Sequence, residues 1–219
     1  MTHSKKRGML MGALLLLAFV LWTVLILCVD VQPVGVNGTN VGLAAVNTWF
    51  HDLTGVHMGL YSATDLLGLV PILVCIGAII LGLVQMIRRR SLKKVDADIL
   101  LLGVYYAIVI LCYFFFEKVI INYRPILIDG AMEASYPSST TLLVLSVMPT
   151  LKLLVDRKTK SPTLKKVTTV FVVLFSAFMV ICRLIAGVHW LTDIIGGILL
   201  SAGLYLLYRS VVRSLGQKA

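Results

Sequence analysis

The sequence predicts an all-α integral membrane protein, a bundle of six transmembrane helices with both termini in the cytoplasm. Three observations lead there. Apolar residues make up 59% of the chain and charged residues only 14%, whereas soluble domains are roughly half apolar. The apolar residues gather into six runs, each near the roughly 20 residues needed to cross a bilayer. All but three of the 20 lysines and arginines fall on connections of one parity, and the positive-inside rule assigns those connections, with the two termini, to the cytoplasm. The net charge of +10 is therefore read as a topological signal, and no nucleic-acid partner is expected.

The first run, residues 8–29, exceeds an ordinary signal-peptide core, and Asp30-Val31-Gln32-Pro33 offers no small-x-small cleavage site, so it is read as a retained helix. The connection that follows, residues 30–65, opens with the turn chemistry of Pro33, Gly35, Asn37-Gly38 and Asn40. Within it Leu43, Val46, Phe50 and Leu53 recur at helical spacing beside Trp49. That pattern predicts a helix over residues 41–60 lying in the membrane interface, either bordering a lateral opening for a lipid or covering the bundle. The second and third spans are residues 66–87 and 99–116. The fourth, 138–155, contains Pro149, and Lys152 near its end can snorkel to the interface. The fifth and sixth are residues 167–186 and 190–208. Cys28, Cys75, Cys112 and Cys182 all lie within or at the end of spans, with neither a disulfide framework nor zinc spacing, and are read as small buried hydrophobes.

The three cations left on the other side are Lys118, Arg124 and Arg183. Arg183 shares a short apolar stretch with His189 and Asp193, and ionisable residues at membrane depth mark functional sites because each must be desolvated and partnered. His189 and Asp193 are four apart, which predicts one face of a helix starting just after Gly187. There the carboxylate can fix the imidazole tautomer and leave the other ring nitrogen free as a nucleophile. Arg124 and Arg183 offer planar donor forks suited to phosphate oxygens. Ser138 and Ser139, following Pro137 at a helix start, add hydroxyls and unpaired N–H groups that bind anions. The topology brings the outer ends of helices three to six together, and these groups with them. A simple Arg183–Asp193 neutralisation would leave Arg124 and the Pro-Ser-Ser turn on the same side without a reason. Trp190 is read as an interfacial anchor.

Arg124-Pro125, then Pro137-Ser138-Ser139, then Arg183, Gly187, His189 and Asp193 in order and spacing resemble the type 2 phosphatidic acid phosphatase family. The resemblance covers about residues 117–197 of a single membrane domain spanning 1–219. It implies a six-helix fold and a metal-independent, cofactor-free reaction at an outward-facing site, in which His189 attacks phosphorus to form a phosphohistidine. Asp193 would orient it, and Arg124, Arg183, Ser138 and Ser139 would cradle the phosphate. Two positions depart from the family pattern. Glu117, followed by Lys118, stands where a lysine is usual, and Thr140 stands where a histidine is thought to protonate the leaving group.

A missing general acid costs roughly 10² to 10⁴ in rate. The loss weighs most on a phosphate monoester, whose alkoxide needs the proton, and least on a diphosphate, whose leaving group is a stable anion. The expected activity is thus hydrolysis of a lipid phosphate or diphosphate, with a bias toward isoprenoid diphosphates, at the outer face of a bacterial plasma membrane. His51, His57, Glu117 and Glu133 lie on the same side as alternative acids. The histidines are read as surface or packing residues, and Glu117 as an ion-pair partner of Lys118, Arg124 or Arg183. The alternative function is a member that binds lipid phosphates without efficient turnover. A transporter would call for broken helices in corresponding halves, a pattern not evident here.

Overall fold

A computed structural model describes residues 3–215. Eight α-helices follow in order: α1 (His3–Cys28), α2 (Ala44–Thr54), α3 (Met58–Leu67), α4 (Leu69–Arg89), α5 (Ala97–Lys118), α6 (Ser139–Lys158), α7 (Pro162–Ile185) and α8 (Leu191–Leu215). Among the described residues six segments are long and apolar enough to cross a membrane, with α3 and α4 counted as one span, Met58–Arg89. The protein is an integral membrane bundle in which large apolar side chains form the lipid-facing surface.

That second span begins well before the expected residue 66. Pro71 accounts for the break within it: a proline lacks the N–H that would bond the carbonyl four residues back, here Leu67, and its ring crowds that carbonyl. The helix therefore interrupts at Gly68, whose N–H bonds Thr64 and Asp65 oxygens at 3.0 and 3.1 Å, and then resumes. Tyr61, Thr64 and Asp65, expected in a connecting segment, instead occupy the first turns of this span.

The amphipathic segment before it is helical only over α2. Asp30 starts that helix from a distance, its carboxylate accepting from the Ala45 N–H at 2.7 Å. Asn47 is fully buried and bonds Thr192 in both directions, Nδ2 to Oγ1 at 3.0 Å and Oδ1 from the backbone N–H at 3.2 Å. One face of α2 thus covers the start of α8. Its other face shows Trp49 at 62% and Leu53 at 67% exposure, the pattern of a helix whose outer side meets lipid.

The longest packing seam joins α1 to α8. Gly12 and Gly203 face each other across it: a Cβ at Gly203 would lie 3.2 Å from the Gly12 carbonyl and 2.7 Å from Leu16. Without a hydrophobic drive between helices in lipid, such close backbone approach supplies the dispersion contacts that hold them. Trp22 closes the seam at the far end, donating from Nε1 to the Thr192 carbonyl at 3.1 Å.

Charges tie the opposite end together. Asp96 pairs with Arg89 at 2.7 Å and with Lys158 at 2.6 Å, while Asp98 pairs with Arg157 at 3.1 Å. Lys158 and Arg89 hold the Asp96 carboxyl down to about 2. Arg157 also reaches the Val212 carbonyl at 3.4 Å, so α4, α5, α6 and α8 are linked at this basic end. The buried ionisable side chains Arg124, Arg183, His189 and Asp193 gather at the other end.

Gly203→Leu should force α1 away from α8 and destabilise the protein by about 1–3 kcal/mol. Thermal unfolding in detergent measures this, with Gly77→Ala as control, because nothing lies within 4 Å of a Cβ built there.

Candidate active site

The connection between α5 and α6 folds as an irregular hairpin. Its tip is Asp129-Gly130, both at positive φ (49° and 78°), closed by reciprocal Ile128–Ala131 backbone bonds of 2.9 and 3.1 Å. This is the two-residue turn that an Asp-Gly pair favours. Further down the hairpin the Arg124 N–H bonds the Glu133 carbonyl at 3.1 Å, and the Ser135 N–H bonds that of Asn122 at 2.9 Å. The pairing places Asn122, Arg124 and Ser135 side by side.

The second wall is the turn between α7 and α8. Gly187 has φ +69°, and a Cβ there would lie 2.0 Å from the Gly55 carbonyl, so only glycine fits. Beside it the His57 N–H donates to the Ala186 carbonyl at 3.0 Å, which fixes the start of α3 against the turn. His189 follows, but α8 begins only at Leu191. His189 and Asp193 therefore do not share a helical face as expected. Asp193 is the third residue of α8, and its Oδ2 accepts from the backbone N–H of Trp190 at 2.8 Å, the helix-capping half of a capping box.

Asp193 is fully buried. Its carboxylate also accepts from Asn122 Nδ2 at 3.3 Å and from the Ser135 hydroxyl. His189 Nδ1 lies 3.8 Å from Asp193, too far for a hydrogen bond, and meets Ser135 instead, with Oγ and the carbonyl oxygen both at 3.1 Å. A carbonyl can only accept, so Nδ1 carries the proton and Nε2 keeps its lone pair. Ser135 relays between the carboxylate and the imidazole that were expected to bond directly.

Arg124 Nη1 stands 3.5 Å from that free Nε2. Its Nε lies 2.9 Å from Glu133 but is poorly aligned for a hydrogen bond, so the pair is chiefly Coulombic. Arg183 is 1% exposed and is held by α3: Nη1 donates to Thr64 Oγ1 at 3.1 Å and to the Tyr61 carbonyl at 3.5 Å. Asp65 comes no closer than 4.0 Å, and Arg183 Nε has no partner. A guanidinium has five N–H donors, and most of those on these two buried cations remain unspent.

At the start of α6, the Ser138 Oγ accepts from Thr141 N–H at 3.5 Å, and the Ser138 N–H donates to the Asp193 carbonyl at 3.1 Å. Ser138 is thus a buried N-cap rather than an open donor. First-turn N–H groups have no intrahelical acceptor, which leaves those of Ser139 and Thr140 for an anion. Ser139 and Thr140 also stand at the head of an apolar cavity of about 540 Å³ running between α4, α5 and α6, lined by Leu69, Ile72, Ile79, Val109 and Leu143.

Other expectations resolve differently. Glu117 lines a small hollow with Tyr113, Ser135 and Ser139 and forms no ion pair among the described residues, because Glu133 takes Arg124 and Asp65 approaches Arg183. Lys118, the last residue of α5, is exposed. Trp190 is 3% exposed and donates to the Tyr123 carbonyl at 2.8 Å, a buried strut and not an interfacial anchor. His51 packs on Trp190 with ring centroids 5.6 Å apart, and His57 Nε2 bonds the Thr54 carbonyl at 2.8 Å. Both histidines serve packing and turn formation.

The model of the PAP2 superfamily matches residues 98–216, more than half of the chain and all of the motif-bearing part. The chain belongs to the PAP2 superfamily. Membership assigns it to the phosphoric-ester hydrolases. The fold is also similar to the crystal structure described as the first transmembrane PAP2 type phosphatidylglycerolphosphate phosphatase from Bacillus subtilis, with a TM-score of 0.62 and 19% identity, covering 94% of this chain and 96% of that one. No curated protein sequence matches the chain. Asn122, Ser135, Tyr61 and Thr64 join the PAP2 motif residues in this site without having been expected there. For the first two the sequence signals are the polar, proline-punctuated stretches 122–125 and 135–140 in which they lie, together with the hairpin dipeptide Asp129-Gly130.

Burial pushes His189 down from the usual 6.5 to about 4; Arg124 and Arg183 add to the effect, and nearby Asp193 opposes it. The imidazole is therefore neutral at pH 7. Because the unfolded chain takes up this proton at a higher pH than the folded protein does, stability decreases as pH falls from about 6.5 to about 4. For the same reason the acid limb of kcat/KM, which reports the free enzyme, should lie near pH 4 and not near 6.5, as measured by phosphate release across pH.

Proposed function

We propose that the protein hydrolyses a lipid phosphate or diphosphate through a phosphohistidine at His189. The observation that carries this reading is a neutral, buried imidazole with an unprotonated Nε2 beside the buried Arg124 guanidinium, which shares the Tyr61 ring with buried Arg183, while Ser139 and Thr140 at the start of α6 line an apolar cavity between membrane helices. An unbalanced buried cation is costly, and a phosphate group supplies both the counter-charge and the acceptors for the unspent donors. The cavity is where an acyl or isoprenyl chain would lie.

In the reaction, His189 Nε2 attacks phosphorus, the N–P bond forms and the P–O bond to the lipid breaks. Positive charge developing on the ring is compensated by Asp193 through Ser135. Arg124, Arg183 and the first-turn N–H groups of Ser139 and Thr140 hold the non-bridging oxygens as charge shifts among them. Water then attacks the phosphohistidine, releasing phosphate and regenerating the imidazole. Metal and cofactor have no part in these steps. The leaving oxygen is the weak point, since Thr140 cannot supply a proton near neutral pH. A departing lipid phosphate does not need one, which supports a bias toward diphosphates, isoprenoid diphosphates in particular. The excess of cations at the opposite end supports a site on the outer face of a plasma membrane, bacterial by our reading, with both termini cytoplasmic. A second reading, binding of lipid phosphates with little turnover, rests on Glu117 and Thr140 alone.

Phosphate release by purified protein from matched lipid mono- and diphosphates tests both. Wild type should favour the diphosphate, and His189→Ala should fall to background. Thr140→His should raise monoester turnover by about 10²-fold and diphosphate turnover much less. Equal rates on the matched pair would remove the bias. Wild type indistinguishable from His189→Ala on every substrate, with lipid binding lost in Arg183→Ala, would leave the binding reading.

A further inference from the structure

Two like-charged guanidiniums converge on one buried site, yet neither is fully matched by a carboxylate. Both stand over the same aromatic ring. The guanidinium carbon of Arg183 sits over the Tyr61 ring at 4.6 Å from its centroid, and that of Arg124 at 5.9 Å. Tyr61 also accepts from Arg183 through its backbone carbonyl. Its own position is fixed: the Tyr61 N–H bonds the His57 carbonyl at 3.1 Å, and the His57 N–H bonds Ala186 in the turn that leads to His189.

We propose that Tyr61 is a positioning residue for the phosphate clamp, setting Arg124 and Arg183 at one spacing through its π face. The choice of an aromatic ring has a chemical reason. A carboxylate between the two arginines would occupy the N–H donors that phosphate needs, and would repel the substrate. A ring face attracts a cation through its quadrupole without a lone pair to capture those donors. Tyr61 therefore offsets the repulsion between the two cations while leaving their hydrogen-bonding capacity free. The contact comes from α3, so the outer half of the second span becomes part of the site and the break at Gly68 separates this part from the rest of the span.

This inference rests on the phosphatase reading for its kinetic arm and stands apart from it in a binding arm. The kinetic arm compares wild type, Tyr61→Phe and Tyr61→Leu on a lipid phosphate or diphosphate that the wild type hydrolyses. Tyr61→Leu should raise KM about tenfold with a smaller change in kcat, while Tyr61→Phe, which keeps the ring, should stay within about twofold of wild type. The binding arm uses orthovanadate, an anion of phosphate's shape and charge, and reads the thermal stabilisation it gives each purified protein in detergent. Stabilisation should survive in Tyr61→Phe and be lost or shifted to about tenfold higher vanadate in Tyr61→Leu. Tyr61→Met replaces the leucine variant should the latter fail to fold.

Unchanged vanadate stabilisation in Tyr61→Leu or Tyr61→Met would overturn the proposal, as would a phenylalanine variant as impaired as these. Absence of turnover in wild type would instead count against the phosphatase reading, with the role of Tyr61 still decided by vanadate.

Discussion

A buried carboxylate organises this end of the molecule. Asp193 is removed from water and accepts from three donors belonging to three different stretches of chain: Asn122 after α5, Ser135 before α6 and the Trp190 backbone ahead of α8. An ionised group in that position is tolerated only while its donors are in place. Burial of the charge therefore requires the hairpin, the start of α6 and the start of α8 to come together in one arrangement. The direction of His189, the proton on its Nδ1 and the lone pair on its Nε2 are consequences of the same set of bonds. The orienting carboxylate acts through a serine, so its structural and chemical duties fall on the same oxygens.

Around this centre the two arginines form a different kind of environment. Asp193 is satisfied within the protein, whereas Arg124 and Arg183 are held in place with donors to spare. One element supplies a hydroxyl, a carbonyl and a ring to Arg183, and another supplies a carboxylate to Arg124. The contrast separates groups fully satisfied within the fold from groups that keep hydrogen-bond donors unspent.

Much of the architecture was legible because lipid imposes a simple demand: backbone polar groups must be paired within a helix, and side chains around it must be apolar over about 20 residues. The limits of that logic show in α3. Tyr61, Thr64 and Asp65 lower the apolar character of a segment that is nevertheless part of a span, because they face the arginines or the site end and not hydrocarbon. The charged members of the site were legible for the converse reason, being costly where they stand. Ser135 was not, since a neutral hydroxyl in a polar loop has no such cost and its place depends on hairpin register. The four-residue spacing of His189 and Asp193 suggested a shared helical face; the capping bond from Trp190 starts α8 later and leaves His189 outside it.

The incomplete pairing of the two arginines also bears on how an anion leaves. Inorganic phosphate presents the same oxygens as the group it came from, so a clamp with many free donors would retain product as well as capture substrate. Glu133 lies at the Arg124 edge and Asp65, with a side chain 65% exposed, at the Arg183 edge. In the proposed reaction these partly exposed carboxylates would compete with phosphate for the two guanidiniums and weaken their hold on it. That competition would set a ceiling on product affinity in the proposed reaction and so favour the emptying of the site.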